Sequence, residues 1–322
     1  MLKKNQNLPA ISIIVATRNR ALALARFLEA AERLPPVPQW ELVIADNGST
    51  DGTASLIEGG AKKLPVVSIY AAHRGKSRAL NAAMAVARGE LLVFADDDIV
   101  PAPNWLSALY EASIAHPEVN VFGGKILVKH DAVPRWIVDS YNLHTLLLSK
   151  QDLGDRPRLF SFDDYPIGPN LAVRRFKLEE RRASWPVGLG PGTKIPVGDE
   201  RAFLMQLSLP GDTDRLYVPA SVVVHCISGR QLSISTCVKR CFQGGFAAAA
   251  IRRRYRKTGS GTRGGVGVVL RRLSQCSSFW ELGCISVRAI GVLAGRLSPY
   301  PEIVVNAAGI RRSHFGVGRS ME

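Results

Sequence analysis

Short apolar runs alternate with helical segments through the first 130 residues of the chain. The apolar runs, rich in Ile, Val, Leu and Phe, are 11–16, 41–45, 66–70, 91–95 and 121–128. Helical spacing or an alanine-rich composition marks the segments 20–33, 77–87 and 104–115. Short apolar runs bounded by polar residues predict buried strands. Strands that alternate with helices predict an α/β fold with a parallel, doubly wound sheet.

Polar clusters follow four of these strands at the point where each strand ends. They are Thr17-Arg18-Asn19, Asp46-Asn47, His73-Arg74 and Asp96-Asp97-Asp98. In parallel sheets, ligands bind at the carboxyl ends of the strands. The four clusters therefore predict one binding site along a single edge of the sheet.

The triplet Asp96-Asp97-Asp98 is the most informative of these clusters. Adjacent carboxylates repel one another, and more strongly where solvent is thin, so we expect a cation to offset them. Hard oxygen ligands suit Mg²⁺ or Mn²⁺. Taken alone, the triplet also fits a solvated acidic turn, and the three neighbouring clusters are what favour a metal site.

The second part of the chain has weaker periodicity. Residues 134–165 are mixed and aromatic, which predicts loops and short helices folded over the sheet. A glycine-rich segment at 188–192 precedes Gly198-Asp199-Glu200, which opens a helical stretch to Leu209. Acids in the first turn of a helix also suit its dipole, so this pair has a structural alternative to a catalytic role.

The charge of the chain is concentrated at its C-terminal end. The 322 residues carry a formal net charge of +15, and the segment from Cys226 onward holds 16 Lys or Arg and 3 Asp or Glu. That segment therefore carries +13, and the rest is nearly neutral. Such segregation predicts a catalytic body at 1–230 and a basic helical region at 231–322 that meets an anionic partner: nucleic acid, anionic lipid or an anionic polymer.

The basic region contains a helical pattern with two interpretations. A basic helix at 239–257 is followed by a glycine-rich link at 259–265 and by a helix at 266–297. On that second helix Arg271, Glu281, Arg288 and Arg296 form a narrow charged stripe, and most other positions are apolar. The pattern fits a helix in a membrane interface, and it fits equally a helix packed on its own domain.

Three features that the sequence lacks bear on the location of the protein in the cell. No uncharged apolar stretch reaches the roughly 18 residues that a spanning helix needs. The polar N-terminus and the short run after it predict no signal peptide. The five cysteines lack a paired Cys-x-x-Cys spacing, and their odd number predicts a reducing compartment without disulfides. We therefore expect a cytoplasmic location.

These motifs, in their order along the chain, resemble those of glycosyltransferase family 2. The resemblance runs from about residue 11 to residue 245. The motifs that carry it are Ile-Ile-Val-Ala-Thr-Arg-Asn-Arg at 13–20, Asp-Asn-Gly-Ser-Thr-Asp-Gly-Thr at 46–53, Gly-Lys-Ser-Arg-Ala-Leu-Asn at 75–81, the Asp-x-Asp triplet at 96–98, Gly-Pro-Asn at 168–170 and Gly-Asp-Glu at 198–200. Asn47 stands where the family has a second Asp. The resemblance implies the GT-A fold, a Rossmann-like, mostly parallel sheet flanked by helices, here with a basic C-terminal helical extension.

The resemblance also implies roles for the donor-side residues. Asp46 would hydrogen-bond a uracil-type base, with Thr17, Arg18 and Asn19 beside it. Lys76 and Arg78 would lie near the nucleotide or its phosphates. The nucleotide-binding half would span about 1–130 and the acceptor half about 131–230, and the segment 168–170 would border the acceptor site.

Ribose and metal would be held by the acids of the triplet. Asp96 and Asp97 would contact the nucleotide, Asp96 and Asp98 would hold the metal, and Asp98 would be its direct ligand. His225 follows an apolar run and matches a late histidine that completes the metal or diphosphate site in some relatives. Its alternative is a structural role at the end of a strand.

The catalytic base has two candidates. The family places the base at the last residue of Gly-Glu-Asp, and ungapped matching puts Glu200 there and Asp199 before it. Because Glu is one methylene longer than Asp, and misplacement on the 1 Å scale can matter, Asp199 remains a competitor. The Gln-x-x-Arg-Trp motif of processive synthases is absent downstream, which predicts single-sugar transfer.

The expected activity is an inverting, metal-dependent transfer from a nucleotide-diphosphate sugar, most simply a UDP-sugar with Mn²⁺ or Mg²⁺. The acceptor would be a glycan or a lipid-linked sugar, with peripheral contact to the anionic cytoplasmic face of a membrane. One alternative is a sugar nucleotidyltransferase, but its glycine-rich, Arg-containing loop is missing at 16–19. The other is a nucleic-acid-binding protein using the Arg-rich tail, but the chain contains no recognised binding module.

Overall fold

The computed structural model describes residues 8–36, 38–129, 133–134, 137, 140, 143–160, 164–207, 215–227, 232–255 and 279–297. The predicted link at 259–265 and the first part of the predicted helix at 266–297 lie outside these ranges. All fold and site statements below concern the described residues.

Four parallel strands form the first half of the sheet. They are β1 (Ile11–Thr17), β2 (Trp40–Asp46), β3 (Val66–Tyr70) and β4 (Leu91–Ala95), in the order β3-β2-β1-β4. Helices α1 (Ala21–Ala31), α2 (Thr53–Gly60) and α3 (Lys76–Val86) connect them. In register, Thr17 lies opposite Asp46 and Asp46 opposite Tyr70. The carboxyl ends of these strands therefore meet at one edge, as predicted.

The second half of the sheet adds antiparallel strands. The later strands are β5 (Ile99–Pro101), β6 (Val121–Val128), β7 (Arg158–Leu159), β8 (Leu171–Arg174) and β9 (Arg215–His225). β8 runs antiparallel to both β4 and β6, and β9 runs parallel to β6 but antiparallel to β5 and β7. The predicted α/β fold is confirmed. The alternation of strands and helices in the first 130 residues did not predict the antiparallel strands.

The pairing of β5 with β9 positions a functional segment. Ile99 lies opposite His225, and the Cys226 N–H donates to the Asp98 carbonyl at 2.8 Å. Residues that are more than 120 positions apart along the chain are thereby neighbours. The pairing places His225 beside the acidic triplet.

The apolar core occupies both faces of the sheet, as alternating side chains require. One face packs Ile11, Ile13 and Val15 against α1 and α4 (Trp105–Ala115). The other face carries Phe94, which contacts the rings of Trp185 and Phe203 edge-on. Those two rings stack at 4.4 Å with an interplanar angle of 8°.

The aromatic cluster anchors a helix of the site. Phe203 belongs to α6 (Asp199–Leu207), which follows the short α5 (Arg175–Arg181). Because Phe203 is fully buried in the stack, the first turn of α6 is fixed relative to the end of β4. That turn carries Asp199 and Glu200.

Two long helices follow the sheet and pack against each other through glycines. They are α7 (Ile234–Tyr255) and α8 (Phe279–Leu297). A Cβ on Gly245 would lie 2.0 Å from the Arg288 carbonyl oxygen, and one on Gly291 would lie 2.1 Å from that of Phe242. Only glycine permits backbones to approach so closely. The second of the two predicted helices of the basic region, described over 279–297, therefore packs against another helix of the same chain. Packing within the chain is one of the two interpretations that its sequence allowed.

None of the described helices combines the length and the apolar content needed to cross a bilayer.

Two alanine substitutions on α8 test this packing. Each replaces a helical glycine and favours the helix by about 1 kcal/mol. Gly283→Ala should leave the Tm unchanged or raise it, because nothing lies within 4 Å of the new Cβ. Gly291→Ala should lower the Tm, because its Cβ meets the Phe242 carbonyl at 2.1 Å, and overpacking costs about 1–3 kcal/mol. Differential scanning fluorimetry measures both, and equal Tm values for the two variants would contradict the glycine contact.

Candidate functional site

The carboxyl edge of the parallel strands opens into a cavity of about 1290 Å³. The predicted site residues that line it are Thr17, Arg18, Lys76, Asp96, Asp97, Asp98, Asp199, Glu200 and His225. Asn19, Asp46 and Arg78, which the structure also describes, are not among the lining residues. Asp98 and Glu200, whose separation would have ruled out a common site, thus share one cavity.

Asp96, Asp98 and His225 converge within this cavity. One ligand atom from each lies within 4.8 Å of the others. His225 Nε2 is 3.2 Å from Asp98 Oδ1. Two carboxylates and an imidazole form a mixed oxygen and nitrogen donor set that suits a divalent ion such as Mn²⁺.

The orientation of His225 fits this role. Its Nδ1 lies 2.8 Å from the Leu148 carbonyl oxygen. A carbonyl oxygen only accepts, so Nδ1 carries a proton and Nε2 faces Asp98 Oδ1. Two lone pairs at that distance require a proton or a cation between them. Backbone carbonyls orient metal-binding histidines in the same manner.

The negative charge of the Asp98 carboxylate favours cation binding. Burial opposes the charge on Asp98, but the hydrogen bond and the charge of His225, with Arg20 and Lys76, lower its pKa to about 2. Burial likewise opposes protonation of His225, yet Asp98 raises the pKa of that imidazole overall. Asp98 is therefore an anion at neutral pH.

Basic side chains balance the other oxygens of the triplet. Arg20 Nε lies 2.9 Å from Asp97 Oδ1, and its Nη2 lies 2.5 Å from Asp98 Oδ2. Lys76 Nζ lies 2.5 Å from Asp96 Oδ1. Thr17 Oγ1 donates to Asp97 Oδ2 at 2.7 Å. Burial raises the pKa of Asp97 to about 6, although Arg20 opposes the shift.

Sequence reasoning missed Arg20. It closes the motif at 13–20, but its acidic partners lie almost 80 residues away, and no spacing rule connects them. The repulsion within the triplet predicted that some cation was needed, and the Arg20 guanidinium is one of the cationic groups that the structure places there.

Asn19 and Asp46 hold together the turns that follow β1 and β2. Asn19 has a left-handed backbone with φ of 50°. Its N–H donates to Ser49 Oγ at 2.9 Å, and its Oδ1 accepts from the Thr50 N–H at 2.7 Å. Asp46 Oδ1 accepts from the Ser49 N–H at 2.9 Å. The first two strand-end turns are thereby joined into one unit.

Asn47 explains a departure from the family motif. Its Nδ2 donates to the carbonyls of Ala71 and His73 at 2.9 and 2.7 Å, and its Oδ1 accepts from the Gly75 N–H at 2.8 Å. A carboxylate has no hydrogens to donate to two carbonyls. Asn47 therefore fixes the loop that leads into Lys76, in a manner that aspartate does not reproduce.

Asp199 and Glu200 occupy different environments at the start of α6. Asp199 is 2% exposed, and a Cβ on Gly190 would lie 2.4 Å from its Oδ2. Burial, with the neighbouring charge of Glu200, raises the pKa of Asp199 well above its ordinary value. Glu200 is half-buried, and a Cβ on Gly168 would lie 2.9 Å from its Oε1.

Lys76 connects the two acidic groups of the cavity. Burial lowers its pKa, but Asp96, Glu200 and Asp199 together raise that pKa above the usual lysine value. The ammonium group is therefore permanently charged and lies between the triplet and the first turn of α6.

Asn170, the last residue of the Gly-Pro-Asn motif at 168–170, has a structural role. It is fully buried, accepts from Trp105 Nε1 at 2.9 Å, and donates to the carbonyls of Lys125 and Ser221. It thereby joins α4, β6 and β9 behind Gly168. Gly168, in the same motif, leaves space for the Glu200 side chain.

Arginines of the C-terminal helices also line the cavity. They are Arg240 and Arg252 on α7, and Arg288 and Arg296 on α8. The sequence placed α8 either at a membrane or against its own domain, and did not link any of these arginines to the site.

Sequence comparison places the chain among known proteins. The model of the family described as "Glycosyl transferase family 2" matches residues 12–182, just over half of the chain. The probable glycosyltransferase YdaM of Bacillus subtilis is 23% identical over 181 residues, which are 54% of this chain and 43% of that protein. The undecaprenyl-phosphate 4-deoxy-4-formamido-L-arabinose transferase of Shewanella sediminis is 31% identical over 109 residues, 32% of each chain. The chain thus spans less than half the length of these curated relatives.

Structural comparison gives a longer match. The mannosyltransferase PcManGT of Pyrobaculum calidifontis, solved with GDP-Man and Mn²⁺, superposes with a TM-score of 0.59 at 20% identity. The superposition covers 89% of this chain and 87% of that one. At this level of identity the likeness shows a shared fold.

Proposed function

The chain belongs to glycosyl transferase family 2 and has the GT-A fold, and we propose that it transfers one sugar, with inversion, from a nucleotide-diphosphate sugar to a glycan or lipid-linked acceptor. The observation that carries the proposal is the single cavity that brings together the acidic triplet, His225 and Glu200. Family membership supports glycosyl transfer over the nucleotidyltransferase and nucleic-acid-binding alternatives.

The donor is assigned to the sheet edge, within about residues 1–130. Asp46 uses Oδ1 on the Ser49 N–H, and we assign its Oδ2 to the base of a UDP-sugar. Thr17 and Arg18, which line the cavity, are assigned to the same base. Lys76 provides the phosphates with a half-buried positive charge, and the exposed Arg78 approaches them from outside.

A divalent ion, Mn²⁺ or Mg²⁺, is assigned to Asp98, Asp96 and His225, whose donor atoms fit it. When bound, it supplies Lewis acidity that stabilises the negative charge of the leaving diphosphate. Lys76 adds a fixed positive charge beside the same group. His225 keeps its orientation through the Leu148 carbonyl.

Glu200 is assigned as the general base. Its carboxylate accepts the proton of the acceptor hydroxyl as that oxygen bonds to the anomeric carbon and the nucleoside diphosphate departs. Asp199, the competitor, is buried, and burial with the charge of Glu200 raises its pKa, which favours its protonated form and makes it the weaker candidate for the base. The acceptor half, about 131–230, contributes this base.

An exposed apolar surface on the C-terminal helices is assigned to membrane contact. Ile234, Val238 and Phe242 share one stripe of α7, and Leu282, Ile290, Leu293 and Leu297 share one stripe of α8. The Gly291–Phe242 contact places the stripes side by side. Because this region carries most of the positive charge, we propose that the surface rests on anionic lipid at the cytoplasmic face.

Asp98→Asn tests the metal assignment. In wild type, Mn²⁺ with a UDP-sugar at 100 times its Kd should stabilise the fold by about 2.7 kcal/mol. Asp98→Asn should lose this stabilisation, because it removes the charge of the assigned ligand. A thermal-shift screen of UDP-, GDP- and dTDP-sugars measures it. Asp152→Asn, another acid of the cavity, is the control, and a wild-type response in Asp98→Asn would exclude the metal role.

Glu200→Gln and Asp199→Asn test the base. Release of UDP from the donor, with water as surrogate acceptor, measures turnover. Glu200→Gln should reduce kcat by about 10²–10⁴-fold while donor binding is kept, because the amide takes no proton. Asp199→Asn mimics the protonated acid and should stay within about tenfold of wild type. The opposite order of effects would assign the base to Asp199.

Flotation with vesicles tests membrane contact. Wild type should float with vesicles of phosphatidylcholine and phosphatidylglycerol, and less with phosphatidylcholine alone. Ile290→Glu, at a position that is 58% exposed on α8, should abolish flotation because it puts a carboxylate into the contact. Ile114→Glu, at a position 62% exposed on α4, should float normally. Equal flotation of the two variants would remove the helices from the contact.

A further inference from the structure

We propose that Tyr165 positions the acceptor: its hydroxyl donates a hydrogen bond to the acceptor hydroxyl that neighbours the attacking one, beside Glu200. The proposal rests on the proposed function and names the acceptor class for the same cavity, a sugar or other polyol with two adjacent hydroxyl groups. Tyr165 lines the cavity three residues before Gly168, where the lack of a side chain leaves space for Glu200.

The backbone of Tyr165 is fixed to the sheet. Its carbonyl accepts from Gln151 Nε2 at 2.8 Å, and the Gln151 backbone exchanges two hydrogen bonds with Ile126 of β6, at 2.7 and 3.1 Å. The next residue, Pro166, is buried over Gly123, where a Cβ would lie 2.7 Å from Pro166 Cβ. Tyr165 therefore stands on rigid backbone, which positioning of a substrate requires.

Arg201 holds the ring of Tyr165 next to the first turn of α6. The Arg201 Cζ lies 5.8 Å from the centre of the Tyr165 ring, within the range of a cation–π contact. Arg201 directly follows Glu200, and Tyr165, Glu200 and Arg201 all line the cavity. The phenol is thereby held close to the assigned base.

The hydroxyl of Tyr165 is available to a ligand. Among the described residues it has no hydrogen-bond partner, and the hydrogen bond of Tyr165 to Gln151 uses the backbone carbonyl. The side chain is half-buried and packs against the apolar core on both faces of the sheet. Because an enclosed phenol normally finds a hydrogen-bond partner, we assign this one to the acceptor.

The phenol meets the acceptor as a hydrogen-bond donor. Burial raises the pKa of Tyr165, with Arg201 and Arg288 opposing the shift and the charges of Glu200 and Asp199 adding to it. The phenol therefore keeps its proton at neutral pH and can donate it to an oxygen. Beside a carboxylate that accepts the proton of the attacking hydroxyl, the cavity thus presents a donor for a second oxygen.

A sugar supplies both of these oxygens. One hydroxyl gives its proton to Glu200 and attacks, and a hydroxyl on the adjacent ring carbon accepts from Tyr165. The second contact decides which hydroxyl faces the base and reduces the freedom of the acceptor before the transfer step, which raises the rate of that step. Water and a simple alcohol lack the second hydroxyl and gain nothing from Tyr165.

Partition of the donor between water and added acceptors tests this role. The donor is the nucleotide sugar that gives the Mn²⁺-dependent thermal shift, and mass spectrometry measures the ratio of glycoside to free sugar. The polyol probes are glycerol and the methyl glycosides of glucose, galactose, mannose and N-acetylglucosamine, and propan-1-ol is the probe with one hydroxyl. Tyr165→Phe should lower the ratio for the polyol probes by about two- to tenfold, because one neutral hydrogen bond is lost. Hydrolysis and the thermal shift should keep their wild-type values.

The control and the remaining outcomes separate positioning from a structural role. Tyr110→Phe removes a hydroxyl from a half-buried position of α4 that does not line the cavity, and should keep the wild-type ratio. An unchanged ratio in Tyr165→Phe, or an equal fall in its hydrolysis, overturns the proposal, because the hydroxyl would then serve no substrate or serve the fold.

The wild-type protein gives the last comparison. Use of propan-1-ol as efficient as that of the polyol probes, or no glycoside from any polyol probe while the donor is hydrolysed, also overturns the role of Tyr165. A wild type that shows neither the thermal shift nor hydrolysis instead means failure of the proposed function.

Discussion

The structure depends on balancing three adjacent carboxylates at the partly buried end of β4. Asp96, Asp97 and Asp98 would repel one another strongly in isolation. Arg20 and Lys76 neutralise the outer oxygens, and β5–β9 pairing brings His225 to the remaining oxygen of Asp98. The antiparallel pairing within the mixed sheet therefore brings His225, which lies more than 120 residues after the triplet, into the site.

The same balance extends across the cavity. Lys76 links the triplet to Asp199 and Glu200, whose position is fixed by the buried aromatic stack under α6. Two glycines, Gly168 and Gly190, leave space for the two carboxyl groups. The two carboxyl groups differ in burial. Burial raises the pKa of Asp199 and so favours its protonated form, whereas Glu200 is half-buried and lines the cavity. The acidic triplet and arginines of α7 and α8 thus line one cavity.

The sequence predicted the parts of this arrangement that are local. The sequence predicted strands β1 to β4 and the polar residues at their ends. Each strand could be recognised separately, because its pattern of apolar and polar residues lies within a few consecutive positions. The cavity also gathered most of the predicted site residues, including Asp98 and Glu200.

What the sequence did not predict depends on long-range pairing. Arg20 finds Asp97 and Asp98 only through the fold, and Asn47 shows its use only once the carbonyls of Ala71 and His73 are placed beside it. The amphipathic pattern of α8 fitted a membrane surface and a protein surface equally. Backbone contacts at Gly245 and Gly291 decided its packing against α7.

The most direct measurement of the central claim is electron spin-echo spectroscopy of the protein with bound Mn²⁺. If Asp96, Asp98 and His225 hold the cation, wild type will show a ¹⁴N modulation from one imidazole. His225→Gln will lose that modulation, and His73→Gln will keep it. Bound Mn²⁺ without nitrogen coupling in wild type, or coupling that persists in His225→Gln, would contradict the account.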